Sequence, residues 1–148
     1  MEAKPMNKKS IDDMIVIAMR LIQANELKIL DNITQKIPSE YFSYLASFGP
    51  TVIQTGLIQA VTFYSNINTS EGKNRKKIID LMEKVLKENK SIPDNDTSLT
   101  EYLNDQWTKK DNQFARRIQL ETCVMEACTA CKLAIRTFPK KEKDNNNA

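Results

Sequence analysis

Histidine is absent from this chain of 148 residues, and glycine is scarce, with three copies. The lack of histidine excludes histidine-containing catalytic triads, imidazole acid–base chemistry and histidine metal sites. Scarce glycine and only five prolines disfavour a turn-rich β fold. No apolar run approaches the length of a membrane span, and the first apolar stretch contains Arg20 instead of a secretory pattern. We therefore expect a cytoplasmic protein with no membrane partner.

Cysteine is also sparse, and its three copies, Cys123, Cys128 and Cys131, fall within one predicted helix. No fourth thiolate or imidazole completes a tetrahedral zinc site, and no strand precedes the cysteine pair as it does in redox motifs. We expect small buried residues, with an exposed thiol or an intermolecular disulfide as the alternatives. The sequence predicts no metal and no cofactor.

Apolar residues recur every three to four positions along most of the chain, and no alternating strand pattern is present. This periodicity predicts an all-α fold, a single compact bundle of five to six helices with a long C-terminal helix. We expect a mobile arm over residues 1–9, one helical domain over 10–138 and a disordered tail over 139–148. The predicted helices run from Ser10 towards Ile37, from Glu40 to Phe48, from Pro50 to about Ser65, from about Lys73 to Asn89, briefly after Ser98, and from Asp111 to about Phe138. Their predicted N-caps include Ser10, Ser39 and Ser98.

The dipeptide Gly49-Pro50 predicts a corner between two helices. Glycine suits the position after a helix end, and proline suits the first turn of the next helix. Gly56 then falls inside the second helix, where glycine costs about 1 kcal/mol relative to alanine. We therefore expect another helix to pack closely against the backbone at Gly56.

An uncharged stripe lies along the same predicted helix, formed by Thr55, Gln59, Thr62 and Asn66. No charged residue occurs between Glu40 and Glu71. This face is either buried in the domain or offered to a partner.

A family resemblance is also found in this segment. It resembles the core motif of the small α-helical subunit of the Cmr complex, the type III-B CRISPR RNA-guided effector, although Thr55 stands where that family usually has asparagine. The chain length, the preceding aromatic helix and the long basic closing helix are similar too, over most of residues 10–138. The matching residues are Pro50, Ile53, Gln54, Gly56, Leu57, Gln59, Ala60 and Phe63.

The resemblance implies a non-catalytic structural subunit of a ribonucleoprotein that acts in antiviral defence. Its partners would be other subunits of the Cmr complex, stacked copies of itself in a filament, and guide and target RNA, whose backbone it would contact. By the same resemblance, the motif residues Pro50, Ile53, Gln54, Gly56, Leu57 and Gln59 are expected to be structural.

The RNA-backbone candidates fall into a preferred set and a second choice. The resemblance favours the first helix and the closing helix, with Arg20, Arg116, Arg117, Lys132 and Arg136. Charge density alone favours a cluster on the fourth predicted helix, formed by Lys73, Arg75, Lys76 and Lys77, although a solvated helix face is the simpler interpretation.

Enzymatic activity is not expected. Carboxylates are scattered, and Gly49, Gly56 and Gly72 match no nucleotide-binding spacing. A net charge of +3 is too small to indicate nucleic-acid binding by itself. The alternative function is therefore a helical adaptor or scaffold that binds only protein, with basic residues that serve solubility.

Overall fold

The computed structural model describes residues 8–109 and 113–142. Within these residues the chain forms six helices and two very short strands, so the predicted all-α fold with a long C-terminal helix is confirmed. The elements in chain order are α1 (Lys8–Ala24), β1 (Ile37–Pro38), α2 (Ser39–Thr55), α3 (Leu57–Tyr64), α4 (Ser70–Glu88), α5 (Leu99–Thr108), α6 (Gln113–Ile135) and β2 (Lys140–Lys141).

The centre of the bundle is the packing of α1 along α6, with α4 against both. Helices α2 and α3 cover this centre, and α5 packs on α3 and α6. Each helix contributes a stripe of fully buried side chains, as the periodicity predicts, and burying one such side chain stabilises the fold by roughly 1.5–3 kcal/mol. Members of the core include Met14, Ala18, Ile22, Leu45, Phe48, Ile78, Met82, Leu103, Leu120 and Val124.

The cysteines contribute to this core, as expected. Cys128 and Cys131 are buried, and Cys123 is half-buried. Burial raises the pKa of the Cys128 thiol to about 11 and that of Cys131 well above its ordinary value. Within the described residues, no group of three or more metal-binding side chains comes together.

The predicted start and extent of the first helix are wrong. Helix α1 already includes Lys8, so Ser10 lies inside it and cannot be its N-cap. The helix ends at Ala24 because Asn25 adopts a φ of 59°. Its side-chain oxygen accepts from the backbone N–H of Leu30 at 2.9 Å, and its amide donates to the Leu30 carbonyl at 2.8 Å. These bonds close a turn where the apolar pattern suggested continued helix.

The predicted corner at Gly49-Pro50 is also wrong, because both residues lie inside α2. Proline in a helix interior costs about 3 kcal/mol. Phe48 and Val52, on either side of the dipeptide, are both buried, and their burial offsets that cost. Gly49 itself is buried against α6, where an added Cβ would lie 3.3 Å from the Met125 Cε.

The break between the two helices occurs at Gly56 instead. Gly56 has φ 94° and ψ 158°, a conformation that is essentially restricted to glycine. A Cβ at this position would have nothing within 4 Å, so the close packing expected at Gly56 is absent. Gly56 is needed for its backbone angles.

Three further predicted helix starts can be compared directly with the structure. Ser39 is the first residue of α2 and its N-cap is Pro38, so the predicted Ser39 cap is wrong. The Ser98 cap is confirmed, since its hydroxyl accepts from the Glu101 N–H at 3.1 Å. Helix α4 begins earlier than predicted, because the Thr69 hydroxyl accepts from the Gly72 N–H at 2.9 Å.

The segment after α6 returns to the loop before α2. Strands β1 and β2 pair in parallel, with Ile37 opposite Lys140, and the Ile37 N–H donates to the Pro139 carbonyl at 2.8 Å. Lys141 Nζ donates to Asp31 Oδ2 at 2.7 Å. Residues 1–7 of the predicted arm, 143–148 of the predicted tail and the predicted helix start at Asp111 lie outside the described residues. The division into arm, domain and tail therefore stays a prediction.

Candidate nucleic-acid interface

The C-terminal end of α6 brings Lys132 and Arg136 to one side of the chain, four residues apart, with Arg136 directly after the last helical residue. Both side chains line a cleft of about 350 Å³ between the start of α2 and the end of α6. Arg136 is exposed and Lys132 is half-buried. Across residues 8–109 and 113–142, neither forms an ion pair with a carboxylate. Their charges are therefore available to a ligand at this cleft.

Lys140 supplies a third cation to the same cleft. The β1–β2 pairing holds the backbone of Lys140 beside α2, and its Nζ lies 5.4 Å from the centroid of the Phe42 ring. Lys140 is exposed, and its ion pair with Glu142 is long, at 3.9 Å. We call the site formed by Phe42, Ser43, Lys132, Arg136 and Lys140 the basic cleft. Several like charges beside low-dielectric walls attract anions.

Arg116 and Arg117 lie at the other end of α6 and are engaged with α5. Arg116 donates to Gln106 Oε1 at 3.3 Å, to Gln119 Oε1 at 3.1 Å and to the Tyr102 hydroxyl. Arg117 donates to the Trp107 carbonyl at 2.8 Å, and its guanidinium lies 5.5 Å from the centroid of the Trp107 ring. These contacts hold α5 against α6.

Arg20 is exposed on α1 and forms an ion pair with Glu88 of α4. The five preferred candidates therefore lie in three different places. The structure brings together Lys132 with Arg136, and Arg116 with Arg117, and leaves Arg20 apart from both pairs.

Most of the second-choice cluster on α4 is also held by contacts within the protein. The Arg75 guanidinium lies 4.2 Å from the centroid of the Phe63 ring, and Lys76 pairs with Asp80 at 2.8 Å. Lys77 donates to the Lys28 carbonyl at 3.0 Å, and burial lowers its pKa from the ordinary value. Lys73 is exposed to solvent. Charge density along the sequence therefore overstates the free charge of this cluster.

The family motif lies mainly on the surface. Of its residues, Leu57 and Ala60 are buried, while the other six are exposed: Pro50, Ile53, Gln54, Gly56, Gln59 and Phe63. The side chain of Ile53 is 78% exposed, although it shares helical spacing with buried residues.

The uncharged stripe beside the motif also lies at the surface, which settles one of the alternatives left open by the sequence: this face is not buried in the domain. We call the surface positions Pro50, Ile53, Gln54, Thr55, Gln59 and Thr62 the uncharged face.

Sequence reasoning did not identify Phe42 and Lys140 as functional candidates. Phe42 falls off the stripe of Tyr41, Leu45 and Phe48, which are buried at helical spacing, and this offset is a usable signal. Lys140 carries no such signal, because a two-residue strand has no sequence signature and its partner is distant in the chain.

Comparison with known protein families gives a match over most of the chain. The profile of the family described as CRISPR-associated protein (Cas_Cmr5) matches residues 18–128. No curated protein and no solved structure matches. Lys132, Arg136 and Lys140 lie beyond the matched segment, whereas Phe42 and the uncharged face lie within it. In the part of the chain that the structure describes, no helix has both the length and the apolar character needed to cross a membrane.

Proposed function

The chain belongs to the CRISPR-associated Cas_Cmr5 family and is a subunit of a Cmr complex; from this premise we propose that it is a non-catalytic structural subunit of a type III-B effector in antiviral defence. In this proposal it works in the cytoplasm, stacks with copies of itself and contacts the backbone of the guide–target RNA. It requires no cofactor.

The observation that carries RNA contact is the pair of cations at the basic cleft. Lys132 and Arg136 line a surface cleft and form no ion pair within the described residues. Phosphate oxygens are the groups that such side chains bind without reading sequence. By contrast, Arg20, Arg116 and Arg117 would have to give up contacts within the protein to reach phosphates.

The uncharged face supports contact with neighbouring protein subunits. Interface cores are depleted in charged residues and enriched in apolar ones. Its residues carry no charge, and Ile53 is exposed, as are the glutamines and threonines of this face on α2 and α3. We assign stacking to this face and RNA contact to the basic cleft.

The test of RNA contact is the salt dependence of binding to target RNA by the assembled effector. The double variant Lys132→Gln, Arg136→Gln should lower the slope of log K against log salt by roughly 0.7 to 0.9 for each phosphate that the protein no longer neutralises. The weakening should be the same for unrelated RNA sequences. A matched control is Lys73→Gln, Lys76→Gln on α4, which removes the same charge and should bind as wild type. Normal binding by the first variant would contradict RNA contact at this cleft.

A separate incubation tests the absence of catalysis. Purified chain mixed with labelled RNA and magnesium should leave the RNA intact. Cleavage that follows the protein through successive chromatography steps would contradict the proposal.

A protein-only adaptor is the second candidate, and the extent of the uncharged face favours it. Under this alternative, Ile53→Asp would release the subunit from the complex, while all basic variants would bind target RNA normally. Under the main proposal, both kinds of variant have an effect, on assembly and on RNA binding respectively.

A further inference from the structure

The basic cleft contains an aromatic ring as well as cations. Phe42 is half-buried, and the Nζ of Lys140 lies 5.4 Å from its ring centroid. Lys140 is exposed and its side chain has four rotatable bonds, so it can leave the ring without disturbing the core. A flat ligand that displaces the Lys140 side chain would take its place over the ring.

The cleft is also polarised. Lys132 and Arg136 lie on its α6 side. On the other side of Ser43, a second cleft of about 760 Å³ is lined by Glu40, Glu71 and Glu142. Its one lysine, Lys141, is paired with Asp31 at 2.7 Å. A phosphate group is attracted to the α6 side and repelled from the carboxylates, which leaves the Phe42 ring and the Ser43 hydroxyl for the rest of the ligand. A volume of about 350 Å³ lies at the lower end of the range of small-molecule sites.

We propose that the basic cleft binds one unpaired nucleotide of RNA, with its base stacked on Phe42 and its phosphate between Lys132 and Arg136. This inference rests on the proposed function, since it names the part of the RNA that this site binds. Paired bases in a duplex are stacked on each other and cannot reach the ring, whereas an unpaired base can stack on an aromatic side chain. A duplex would use only the cations.

The test compares single-stranded RNA with duplex RNA of the same sequence, using the full chain and fluorescence anisotropy at low salt. Phe42→Leu should weaken binding of single-stranded RNA by roughly 5- to 150-fold, the range for removal of one base–aromatic stack, and leave duplex binding unchanged. Phe42→Tyr should bind as wild type because it retains the ring. The control is Phe114→Leu, the same substitution at an aromatic residue that is 78% exposed and lies at the opposite end of α6.

A crosslinking experiment identifies the residue that the RNA contacts, in addition to the affinity measurements. Single-stranded RNA carrying 5-iodouridine, irradiated with the wild-type chain, should crosslink to Phe42, as read by mass spectrometry. Crosslinks confined to other residues, or normal single-strand binding by a folded Phe42→Leu, would overturn the nucleotide site. If the chain binds free uridine monophosphate as tightly as the oligonucleotide, the site binds a free nucleotide, and the proposal that it binds RNA is wrong.

The two proposals fail in different ways. If Arg136→Gln weakens both RNA forms and Phe42→Leu weakens neither, backbone contact stands and the nucleotide site is wrong. If the wild-type chain binds neither form, or if no variant changes binding, both proposals are wrong. Thermal unfolding followed by circular dichroism confirms that each variant is folded before its binding is interpreted.

Discussion

At the scale of single residues, Gly49 and Gly56 have roles opposite to those that their positions in the sequence indicate. Gly49 lies in the middle of a helix and makes room for Met125, and Gly56 ends that helix through its positive φ. Sequence reasoning assigned the helix break to Gly49 because proline follows it. The conformational preferences of glycine and proline could not reveal that Phe48 and Val52, on either side of this dipeptide, are both buried in the core.

We expect Gly56→Ala and Gly56→Leu to destabilise the fold by similar amounts, on the order of 1–3 kcal/mol. The cost comes from the backbone conformation, because a Cβ here meets nothing within 4 Å. Urea denaturation of both variants measures it. Gly49→Ala is the control and should be close to neutral, since the contacting Met125 Cε is the flexible end of a side chain. A leucine penalty far above that of alanine would contradict this account.

At the scale of elements, the helical periodicity follows from the sequence, whereas several helix ends and both strands do not. The Ser98 cap and the buried stripe of α6 follow from local chemistry and a period of 3.6 residues, so both could be predicted. The β1–β2 pair depends on where α6 ends relative to α2, which is a property of the packed bundle. Asp31 and Lys141, which secure it, are 110 residues apart along the chain.

This attachment makes stability depend on acidity. The hydrogen bond from Lys141, followed by those from the N–H groups of Ile33 and Thr34, lowers the pKa of Asp31 to about 2, from an ordinary value of 3.8. Because the folded-state pKa is below the unfolded value, the stabilisation is fully present above about pH 4 and is lost as the pH falls towards 2.

Carboxyl NMR titration should therefore place the Asp31 midpoint near 2 in wild type and higher in Lys141→Met. Lys140→Met is the control, since its Nζ pairs with Glu142. Identical Asp31 midpoints in all three proteins would contradict the assignment.

At the scale of the whole molecule, the basic candidate residues fall into two groups. One group is bonded to other parts of the protein, and the other is not. The sequence identifies Lys132 and Arg136 through resemblance, and it cannot distinguish them from Arg116 and Arg117. All four lie on α6 or directly after it, and only the docking of α5 decides that the second pair is bonded to Gln106 and Trp107.

We therefore expect Arg116→Gln to lower the free energy of unfolding by roughly 1.5–3 kcal/mol, the usual value for hydrogen bonds to a charged group. The salt slope of RNA binding should not change. Arg136→Gln should lower the salt slope of RNA binding and leave the free energy of unfolding unchanged. Arg136 is exposed and forms no ion pair with the carboxylates of residues 8–109 and 113–142. Paired urea denaturation and RNA titration separate the two effects. A reduced salt slope with unchanged stability in Arg116→Gln would contradict this division.

The strand pair also has a consequence for the order of events during synthesis. The walls of the basic cleft come from Phe42 in α2 and from residues up to Lys140, so most of the polypeptide is translated between them. A nascent chain can fold its early helices while it is still being extended, but it cannot present the cleft until the strand at Lys140–Lys141 has been made and paired. Translation products that stop before Lys140 therefore lack one wall of the basic cleft, and under the proposed function they could not contact RNA through it.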